Sequence, residues 1–383
     1  MSESQSQASS VDGLRIHYFS ASTLPSRTAN SVHVMKMCNA FAYNSCDITL
    51  FARSDGVKPS KIFAYYGIES SFDLVLSPSS GSRLLSLLLR LDCYRRAINT
   101  LPTPDLIYGR DVLSLWLFAH RRSKRFIFEA HHPPTCRLQA TLMKALMSSL
   151  HLEAVVTISK RLRCDWLKRY PNLRADRVHV AHDGADCPEP ENKIFASRVR
   201  PARAQIGYVG SLYEGRGIEV IMALAERLTE VDFHLVGGSP DEVEAWCARG
   251  VPVNVSFHGH MPHCEIPSWL ASFDILLAPY QPGVRIAKGL DTTDCMSPLK
   301  LFEYMASNRP LVGSNLPALR EVLEHDRNCL LVDPADISAW CYAIMSLLRD
   351  SARAERLAEE ARADLVKEYS WQKRAHKILR SFL

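Results

Sequence analysis

The sequence predicts an α/β protein with two Rossmann-like domains that face each other across a central cleft. Short β-branched or aromatic runs alternate with longer helical patterns, and the alternation starts again after a Pro- and charge-rich linker, residues 188–203. Strands separated by helices favour parallel sheets with right-handed crossovers. A chain of 383 residues with 47% hydrophobic content can bury two cores of ordinary size, so two domains are expected.

Six strands are predicted in each domain. In the first domain, residues 11–187, they lie near Arg15–Phe19, Ile48–Ala52, Leu106–Tyr108, Phe126–Glu129, Ala154–Ile158 and Val178–Ala181. In the second domain, residues 204–368, they lie near Gln205–Val209, Phe233–Val236, Val255–His258, Ile275–Ala278, Pro310–Val312 and Cys329–Val332. Residues 1–10 are Ser/Gln-rich without an apolar signal-peptide run, and we expect a disordered tail. Residues 369–383 predict an amphipathic C-terminal helix that can cross back onto the first domain.

The lengths of the apolar runs and the cysteine content indicate where the protein is located. No apolar run approaches the roughly 18–20 residues that a membrane-spanning helix needs. The eleven cysteines are an odd count without CxxC spacing, which indicates reduced thiols and a cytoplasmic protein.

The formal net charge of +5 is unevenly spread. Through Glu189 there are 24 Lys/Arg against 16 Asp/Glu, or +8, and the remainder has 22 against 25, or −3. A basic first half predicts an anionic partner, either a membrane surface met peripherally at its inner face or a phosphate-linked acceptor. Nucleic acid is not expected, because no recognised nucleic-acid motif and no basic stripe with interleaved aromatics is present.

The stretch around Ser297 is the most informative part of the second domain. Ser297 followed by Pro298 predicts an N-cap and a first helical residue, and the apolar spacing that begins at Leu299 continues the helix. Lys300 in the first turn opposes the helix dipole unless an anion binds there. Glu303, one turn further along, suits a pair of sugar hydroxyls. The helix is therefore predicted to hold a nucleotide-sugar.

A glycine-rich loop, Gly207–Gly217, follows the first strand of the second domain. Gly210 permits close backbone approach, and Arg216 can contact a phosphate through two hydrogen bonds. The alternative is a simple βα loop with a solvated arginine, but the helix at Ser297 in the same domain favours phosphate binding. No GxGxxG follows any strand and no GxxxxGK[ST] is present, so a dinucleotide-dependent dehydrogenase loses its main support.

In the first domain, candidate site residues follow predicted strands. Either His131 or His132, in Glu129–Pro134, can project into the cleft, although a structural role is the alternative for each. Arg110 occupies the equivalent position after the preceding strand, where the alternative is an ordinary surface arginine.

Two further segments have competing interpretations. His258–Cys264 contains three histidines and a cysteine, but no second pair of ligands at a zinc-site spacing follows, so no metal site is predicted. Ser82–Ile98 interleaves leucines with arginines. This pattern is compatible with an interfacial helix, but a buried crossover helix is favoured.

Together these residues resemble the family 4 retaining glycosyltransferases, which have the two-domain GT-B fold. The resemblance covers nearly the whole chain and is strongest over residues 207–334; the Ser297–Lys300 sequence resembles one branch of the family. It implies that Arg216 contacts the donor diphosphate, that Glu303 binds the nucleotide ribose and that His131 lies near the transferred sugar. Three positions depart from the family pattern: Cys295 replaces the first glutamate of a pair, Ser211 replaces a common arginine, and the loop 20–31 lacks frequent glycines.

By this resemblance the chain transfers a sugar from a UDP- or GDP-linked donor to a saccharide or lipid-linked acceptor with retention, in surface polysaccharide or glycoconjugate biosynthesis. The nucleotide-sugar is a substrate, and no cofactor or metal is predicted. The catalytic residues are His131 and Glu303, the acceptor-side residues are Arg27, Arg110 and His132, and the donor-binding residues are Gly210, Arg216, Ser297, Pro298, Leu299, Lys300 and Glu303. Two alternatives remain open: a nucleotide-sugar epimerase on the same fold, or a non-catalytic nucleotide-sugar-binding protein.

Overall fold

The computed structural model describes residues 12–68, 72–187, 202–283 and 291–381. The predicted N-terminal tail and most of the predicted linker lie outside these ranges. The chain divides into two compact units. The first unit comprises the described residues up to His182 together with those from Trp371 onward, and the second comprises the described residues from Asp183 to Ser370.

The first unit is built on a seven-stranded sheet in which every pair of neighbouring strands is parallel. The strand order is β3-β2-β1-β4-β5-β6-β7. The strands are β1 (Arg15–Thr23), β2 (Asp47–Ser54), β3 (Asp73–Pro78), β4 (Leu106–Gly109), β5 (Phe126–Ala130), β6 (Leu152–Thr157) and β7 (Val178–Val180). Strand β3 was not predicted, because it is a half-exposed edge strand with a short apolar run ending at Pro78.

Seven α-helices of the first unit lie among the described residues: α1 (Ala29–Tyr43), α2 (Pro59–Tyr65), α3 (Arg83–Thr100), α4 (Val112–Phe118), α5 (Arg137–Met147), α6 (Lys160–Arg169) and α13 (Trp371–Arg380). The last of these packs against α1. The buried positions of α13 recur with the helical period, so this short segment forms an amphipathic helix whose apolar face is buried. These positions are Trp371, Arg374, Ala375, Ile378 and Leu379.

The second unit has a six-stranded parallel sheet with the order β10-β9-β8-β11-β12-β13. Its strands are β8 (Gln205–Val209), β9 (Asp232–Val236), β10 (Val255–Gly259), β11 (Ile275–Ala278), β12 (Leu311–Ser314) and β13 (Leu330–Val332). Its helices are α7 (Ile218–Arg227), α8 (Pro240–Cys247), α9 (Ile266–Ala271), α10 (Leu299–Ala306), α11 (Ile337–Arg349) and α12 (Ser351–Asp364), the last continued by a π-helical turn, Leu365–Tyr369.

Two apolar clusters cover the two faces of the second sheet. Strand β11 shows the alternation: Ile275 and Leu277 belong to one cluster, and Leu276 and Ala278 belong to the other. Because both faces are covered by helices, the strand is a continuous apolar run and not an alternating one.

Both sheets reverse their strand order at an inner pair of strands, β1 and β4 in the first sheet and β8 and β11 in the second. In open α/β sheets, ligands bind beyond the carboxyl ends of the strands at such a switch point. The loops that follow these strands are therefore the places where a binding site is expected.

Helix α3 corrects one prediction. A buried crossover helix was favoured, but Leu84, Leu85 and Leu88 are 67%, 47% and 56% exposed. The helix packs against edge strand β3, and among the described residues these three leucine side chains remain exposed. No helix within the described ranges has the length and apolar character that crossing a membrane requires.

Candidate functional site

Close backbone packing shapes the switch point of the second sheet. Gly210 follows β8 with φ +152°, and a Cβ atom there would lie 2.6 Å from the Nζ atom of Lys300. Gly217 forms the N-cap of α7 with φ +80°, and its Cβ atom would lie 1.7 Å from the carbonyl oxygen of Pro279, just after β11. Gly217 is therefore required for its loop to approach the backbone after β11 this closely, whereas Gly210 is favoured by its positive φ.

Lys300 is a buried cation at this point. The residue is 8% exposed, and its Nζ atom lies 3.8 Å from the ring centroid of Tyr208 and 5.0 Å from that of Tyr280. Among the described residues, no hydrogen-bond partner lies within reach of Nζ. Burial, and then the charge of Arg216, hold the pKa of Lys300 well below its usual range. The Lys300 Nζ atom is thus desolvated and has no hydrogen-bond acceptor among the described residues.

Arg216 approaches the same cluster from the β8–α7 loop. Its Cζ atom lies 4.6 Å from the ring centroid of Tyr213 and 5.3 Å from that of Tyr280. It donates a hydrogen bond to the Tyr213 hydroxyl, while its buried Nε atom has no partner among the described residues. Arg216 and Lys300 consequently lie over one ring, that of Tyr280, and both carry donors that are free to bind an anion.

Glu303 lies one turn after Lys300 on α10. Its Oε1 atom is 2.8 Å from the Nε2 atom of His263, and the two side chains are 20% and 18% exposed. The next residue of the helix, Tyr304, accepts a hydrogen bond of 2.7 Å from the backbone N–H of Val209, which fixes α10 to the end of β8. A partly accessible carboxylate is thereby held beside the two cations.

The start of α10 corrects a second prediction. The helix begins at Leu299, with Pro298 in the N-cap position and no side-chain cap. Ser297 does not cap it, because its hydroxyl accepts a hydrogen bond of 2.9 Å from the backbone N–H of Asp183. Within the described residues, the N-cap residue therefore gives the first backbone N–H groups of α10 no side-chain acceptor, which is the arrangement that favours an anion at a helix N-terminus.

In the first unit, a buried carboxylate organises the residues that follow β4 and β5. The side chain of Glu129 is fully buried, and its Oε1 atom lies 2.7 Å from Arg374 Nη2, 2.8 Å from His33 Nε2 and 2.9 Å from His131 Nε2. Its Oε2 atom accepts a hydrogen bond of 2.6 Å from the hydroxyl of Tyr108. Burial raises the pKa of Glu129, but the charge of Arg374 and then His33 outweigh it, so this pKa lies well below its usual range.

His131 is held neutral in this network. Burial, followed by the charge of Arg110, lowers its pKa to about 3 despite the opposing effect of Glu129. Its ring stands edge-on to that of His33, with centroids 4.8 Å apart. The structure thus brings His131 and Arg110 together at the carboxyl end of the first sheet.

The other two predicted acceptor-side residues are less closely tied to this network. The Nδ1 atom of His132 lies 2.7 Å from the carbonyl oxygen of Pro133. Arg27 is exposed in the loop between β1 and α1. Their assignment to the acceptor stays a prediction.

Two family models match the chain in succession. The model described as Glycosyltransferase Family 4 matches residues 31–189, and the model described as Glycosyl transferases group 1 matches residues 203–350. The chain belongs to the family 4 glycosyltransferases. The first match lies largely in the first Rossmann-like unit and the second in the second unit, while β1, α12 and α13 lie outside both matched ranges.

Curated proteins similar to this chain carry the names of different activities. It is 26% identical over 253 residues to alpha-maltose-1-phosphate synthase of Mycolicibacterium smegmatis, covering 59% of this chain and 62% of that protein. It is 26% identical over 271 residues to alpha-D-kanosaminyltransferase of Streptomyces kanamyceticus, covering 65% of this chain and 66% of that protein. The chain spans less than two thirds of the length of these relatives.

Solved structures similar to this glycosyltransferase match along nearly its whole length. Anabaena HepE in complex with UDP and glucose has a TM-score of 0.70 at 16% identity, with 96% of this chain and 99% of that chain covered. Sucrose-phosphate synthase from Thermosynechococcus elongatus has a TM-score of 0.72 at 16% identity, with 96% and 98% covered. The prediction of a GT-B fold with two parallel Rossmann-like sheets is confirmed.

Sequence reasoning missed several residues of these clusters. Tyr208 lies within the first strand of the second unit and Tyr280 follows β11, so their positions at strand ends were the available signal. His263 was considered only as a metal ligand, whereas it pairs with Glu303. Arg374 could have been recognised as a charged residue on the apolar face of the last helix, between Trp371 and Ile378.

Proposed function

We propose that this glycosyltransferase moves a sugar from a UDP- or GDP-linked donor to a saccharide or lipid-linked acceptor with retention of configuration, in surface polysaccharide or glycoconjugate biosynthesis. The observation that carries the proposal is the pair of cations, Lys300 and Arg216, that lie over the Tyr280 ring with donors left free. A bound diphosphate would supply the negative counter-charge for both side chains. The Ser297–Lys300 sequence is the basis for placing the chain in the Ser-Pro-Leu-Lys branch of the family.

The donor diphosphate would bind beyond the end of β8. Gly210 leaves room for a phosphate beside Lys300, because no Cβ atom occupies that space. Arg216 offers a planar guanidinium that suits two phosphate oxygens, and the uncapped N-terminus of α10, from Pro298 and Leu299, adds backbone donors. The positive side chains and the positive end of the helix dipole would then both stabilise the bound diphosphate.

Glu303 would bind the ribose of the nucleotide. A carboxylate accepts hydrogen bonds from two neighbouring hydroxyls, and Glu303 is accessible enough to be reached by a ligand. His263 holds one of its oxygens and so leaves the other to the ligand. The ribose and the diphosphate would then bind different residues of α10, Glu303 and Lys300 respectively.

Sugar transfer then depends on stabilising the departing diphosphate. Preorganised cations in a water-poor site lower the free energy of a charge that develops in the transition state. Lys300 and Arg216 supply this stabilisation from the protein itself, so the proposed reaction is metal-independent. Retention, with the leaving phosphate taking the acceptor proton on the same face, is carried over from the family.

His131 is proposed to contact the transferred sugar. Its Nε2 atom faces the Glu129 carboxylate, so the Nε2 proton is donated there and Nδ1 keeps a lone pair. A neutral histidine with a free acceptor nitrogen can receive a hydrogen bond from a sugar hydroxyl. Arg110, His132 and Arg27 are assigned to the acceptor side, where a phosphate-linked acceptor would meet positive charge.

We further propose that the first unit associates peripherally with an anionic membrane while it takes a lipid-linked acceptor. Leu84, Leu85 and Leu88 form an exposed apolar stripe at the start of α3, and Arg95 and Arg96 are exposed near its end. Asp92 pairs with both arginines, so the helix contributes mainly apolar contact. Attraction to anionic lipid would come from the +8 charge of the chain through Glu189 (24 − 16).

Calorimetry with UDP and GDP tests the donor site. HepE has been solved with UDP, which makes UDP the first probe. We expect Glu303→Gln to weaken nucleotide binding by about 1.5–3 kcal/mol, the amount typical of a lost charged hydrogen bond. Arg216→Ala should weaken it comparably, whereas Glu355→Gln and Arg349→Ala, exposed positions of the same unit, should leave it unchanged.

Unchanged affinity in both Glu303→Gln and Arg216→Ala would overturn the site. Turnover should then be measured with a UDP- or GDP-sugar in the presence and absence of an acceptor. Transfer that requires the acceptor supports the proposal. Conversion of the donor alone identifies an epimerase instead, and binding without turnover on any acceptor identifies a binding protein.

A further inference from the structure

Arg374, on the last helix of the first unit, belongs to the network around His131. Its side chain is 2% exposed, and Nη2 lies 2.7 Å from Glu129 Oε1. Its Nε atom donates to the carbonyl oxygen of His182 at 2.8 Å, and Nη2 lies 3.2 Å from that of Ala181. These contacts fix the guanidinium against the carboxylate from two directions.

The helix that carries Arg374 is anchored independently of this contact. Ala375, Ile378 and Leu379 are buried on its inner face, and Trp371 meets the ring of His33 edge-on at 5.3 Å between centroids. An apolar face of this kind is sufficient to dock a short helix. A buried arginine in the middle of it is therefore not needed for docking, and its desolvation has a cost.

The charge of Arg374 determines the state of Glu129. A fully buried carboxylate is protonated unless a positive charge and hydrogen-bond donors compensate it. Arg374 is the strongest of the influences that lower the pKa of Glu129, ahead of His33, and the hydroxyl of Tyr108 adds a donor at 2.6 Å. With the arginine present, the carboxylate is ionised while the histidine at 131 stays neutral.

An ionised Glu129 also selects the tautomer of His131. A carboxylate accepts hydrogen bonds but cannot donate them, so the Nε2 atom of His131, 2.9 Å away, carries the ring proton. The lone pair is then on Nδ1. If Glu129 were protonated, or if His131 took up a proton, this acceptor nitrogen would be lost.

We propose that Arg374 is a positioning residue, which keeps Glu129 ionised and thereby fixes the proton of neutral His131 on Nε2, so that its Nδ1 atom accepts a hydrogen bond from the sugar. The C-terminal helix is then a functional part of the transfer site and not only a structural cover. The inference rests on the proposed function only for the identity of the ligand of His131. The state of the network is independent of that ligand.

Histidine nitrogen NMR on the full-length protein tests this inference without any substrate. We expect His131 of the unsubstituted chain to give a neutral Nε2–H signal at pH 7. In Arg374→Gln the buried carboxylate loses its cation, so a proton should go to Glu129 or to a histidine of the pair His33 and His131. The neutral Nε2–H signal of His131 should then be lost, either to the Nδ1–H tautomer or to imidazolium. Arg374→Lys restores the charge and should restore the neutral signal.

Activity provides the second readout. Arg374→Gln should lower kcat about tenfold or more, equivalent to at least about 1.4 kcal/mol, with the donor KM nearly unchanged because the nucleotide binds in the other unit. Arg374→Lys should recover most of kcat. Lys377→Gln, on the exposed side of the same helix, is the matched control and should change neither kcat nor the histidine signals.

A folded Arg374→Gln protein that keeps the neutral Nε2–H signal of His131 and an unchanged kcat would overturn the inference and leave Arg374 as a docking contact. If Arg374→Gln does not fold, Glu129→Gln tests the same point, because an amide can donate to Nε2 and release the opposite tautomer. Unchanged histidine signals together with an unchanged kcat in Glu129→Gln would also overturn it. Failure of the proposed function would appear separately, as absent turnover in the unsubstituted chain with its histidine signals as expected.

Discussion

Replacing Lys300 with methionine should stabilise the fold while it weakens donor binding. Desolvating an ammonium group costs several kcal/mol, and its contact with the Tyr208 ring at 3.8 Å returns about 2 kcal/mol. With no hydrogen-bond partner among the described residues, a residual cost on the order of 1–3 kcal/mol remains. Methionine has a similar apolar length, so Lys300→Met removes this cost without opening a large cavity.

Stability and affinity should therefore change in opposite directions. For a unit of this size, about 1–3 kcal/mol corresponds to a rise in Tm of roughly 2–12 °C by calorimetry. The variant also loses a charged hydrogen bond to the diphosphate, about 1.5–3 kcal/mol, so UDP affinity should fall about 10- to 150-fold. Lys367→Met, at an exposed position of the same unit, should leave Tm and affinity unchanged.

The stability difference between the unsubstituted protein and Lys300→Met should depend on pH in a defined direction. The pKa of Lys300 is lowered in the folded protein by burial and then by Arg216, so the native state binds fewer protons than the unfolded chain between the folded value and the unfolded one, about 10.4. The destabilisation is full below the folded pKa and disappears as pH rises through this window. Stability of the unsubstituted protein should rise with pH there, and the variant should lack this slope.

Nucleotide binding should have the opposite pH dependence. A bound diphosphate raises the pKa of Lys300, so binding takes up a proton and affinity weakens as pH rises through the window. Calorimetry in two buffers of different ionisation enthalpy measures this uptake directly. A Lys300→Met protein with a lower Tm, or with unchanged UDP affinity, would refute the assignment of Lys300 as a strained donor-binding cation.

Two further predictions concern the metal and the membrane. Turnover should be unchanged by EDTA, because Lys300 and Arg216 neutralise the diphosphate; activity that EDTA abolishes and Mg²⁺ or Mn²⁺ restores would contradict this. Sedimentation with anionic vesicles should retain the protein at low salt and lose it at high salt, since exposed charges are screened beyond about 10 Å at 0.1 M. The double variant Leu84→Ser/Leu88→Ser should bind anionic vesicles less. Leu138→Ser, at an equally exposed position on another helix, should bind them as the unsubstituted protein does. Equal and negligible binding to anionic and neutral vesicles would contradict the membrane proposal.

The strands were largely predictable from local sequence. β8 and β11 were placed with their observed bounds, Gln205–Val209 and Ile275–Ala278, because strands buried on both faces are short apolar runs bounded by polar or turn residues. β3 was missed because an edge strand needs less apolar surface. Ser297 was wrongly predicted to cap α10, because local pattern cannot reveal that its hydroxyl is taken by the distant backbone of Asp183.

The candidate site was predictable where function requires a local motif. Gly210, Arg216, Lys300 and Glu303 all lie in two short segments that the fold brings to one strand end. The contacts that position the site residues were not predictable, because these contacts join residues that are far apart in sequence. His263 is 40 positions from Glu303, and Arg374 is 245 positions from Glu129.

That long separation has a consequence for synthesis of the chain. The second unit is inserted between the two parts of the first, so Glu129 leaves the ribosome 245 residues before its arginine partner. At about 5–20 residues per second, the interval is about 12–50 s. During that time the nascent first unit contains a carboxylate that it cannot bury as an ion. The network around Glu129 can therefore be completed only after the second unit has been translated.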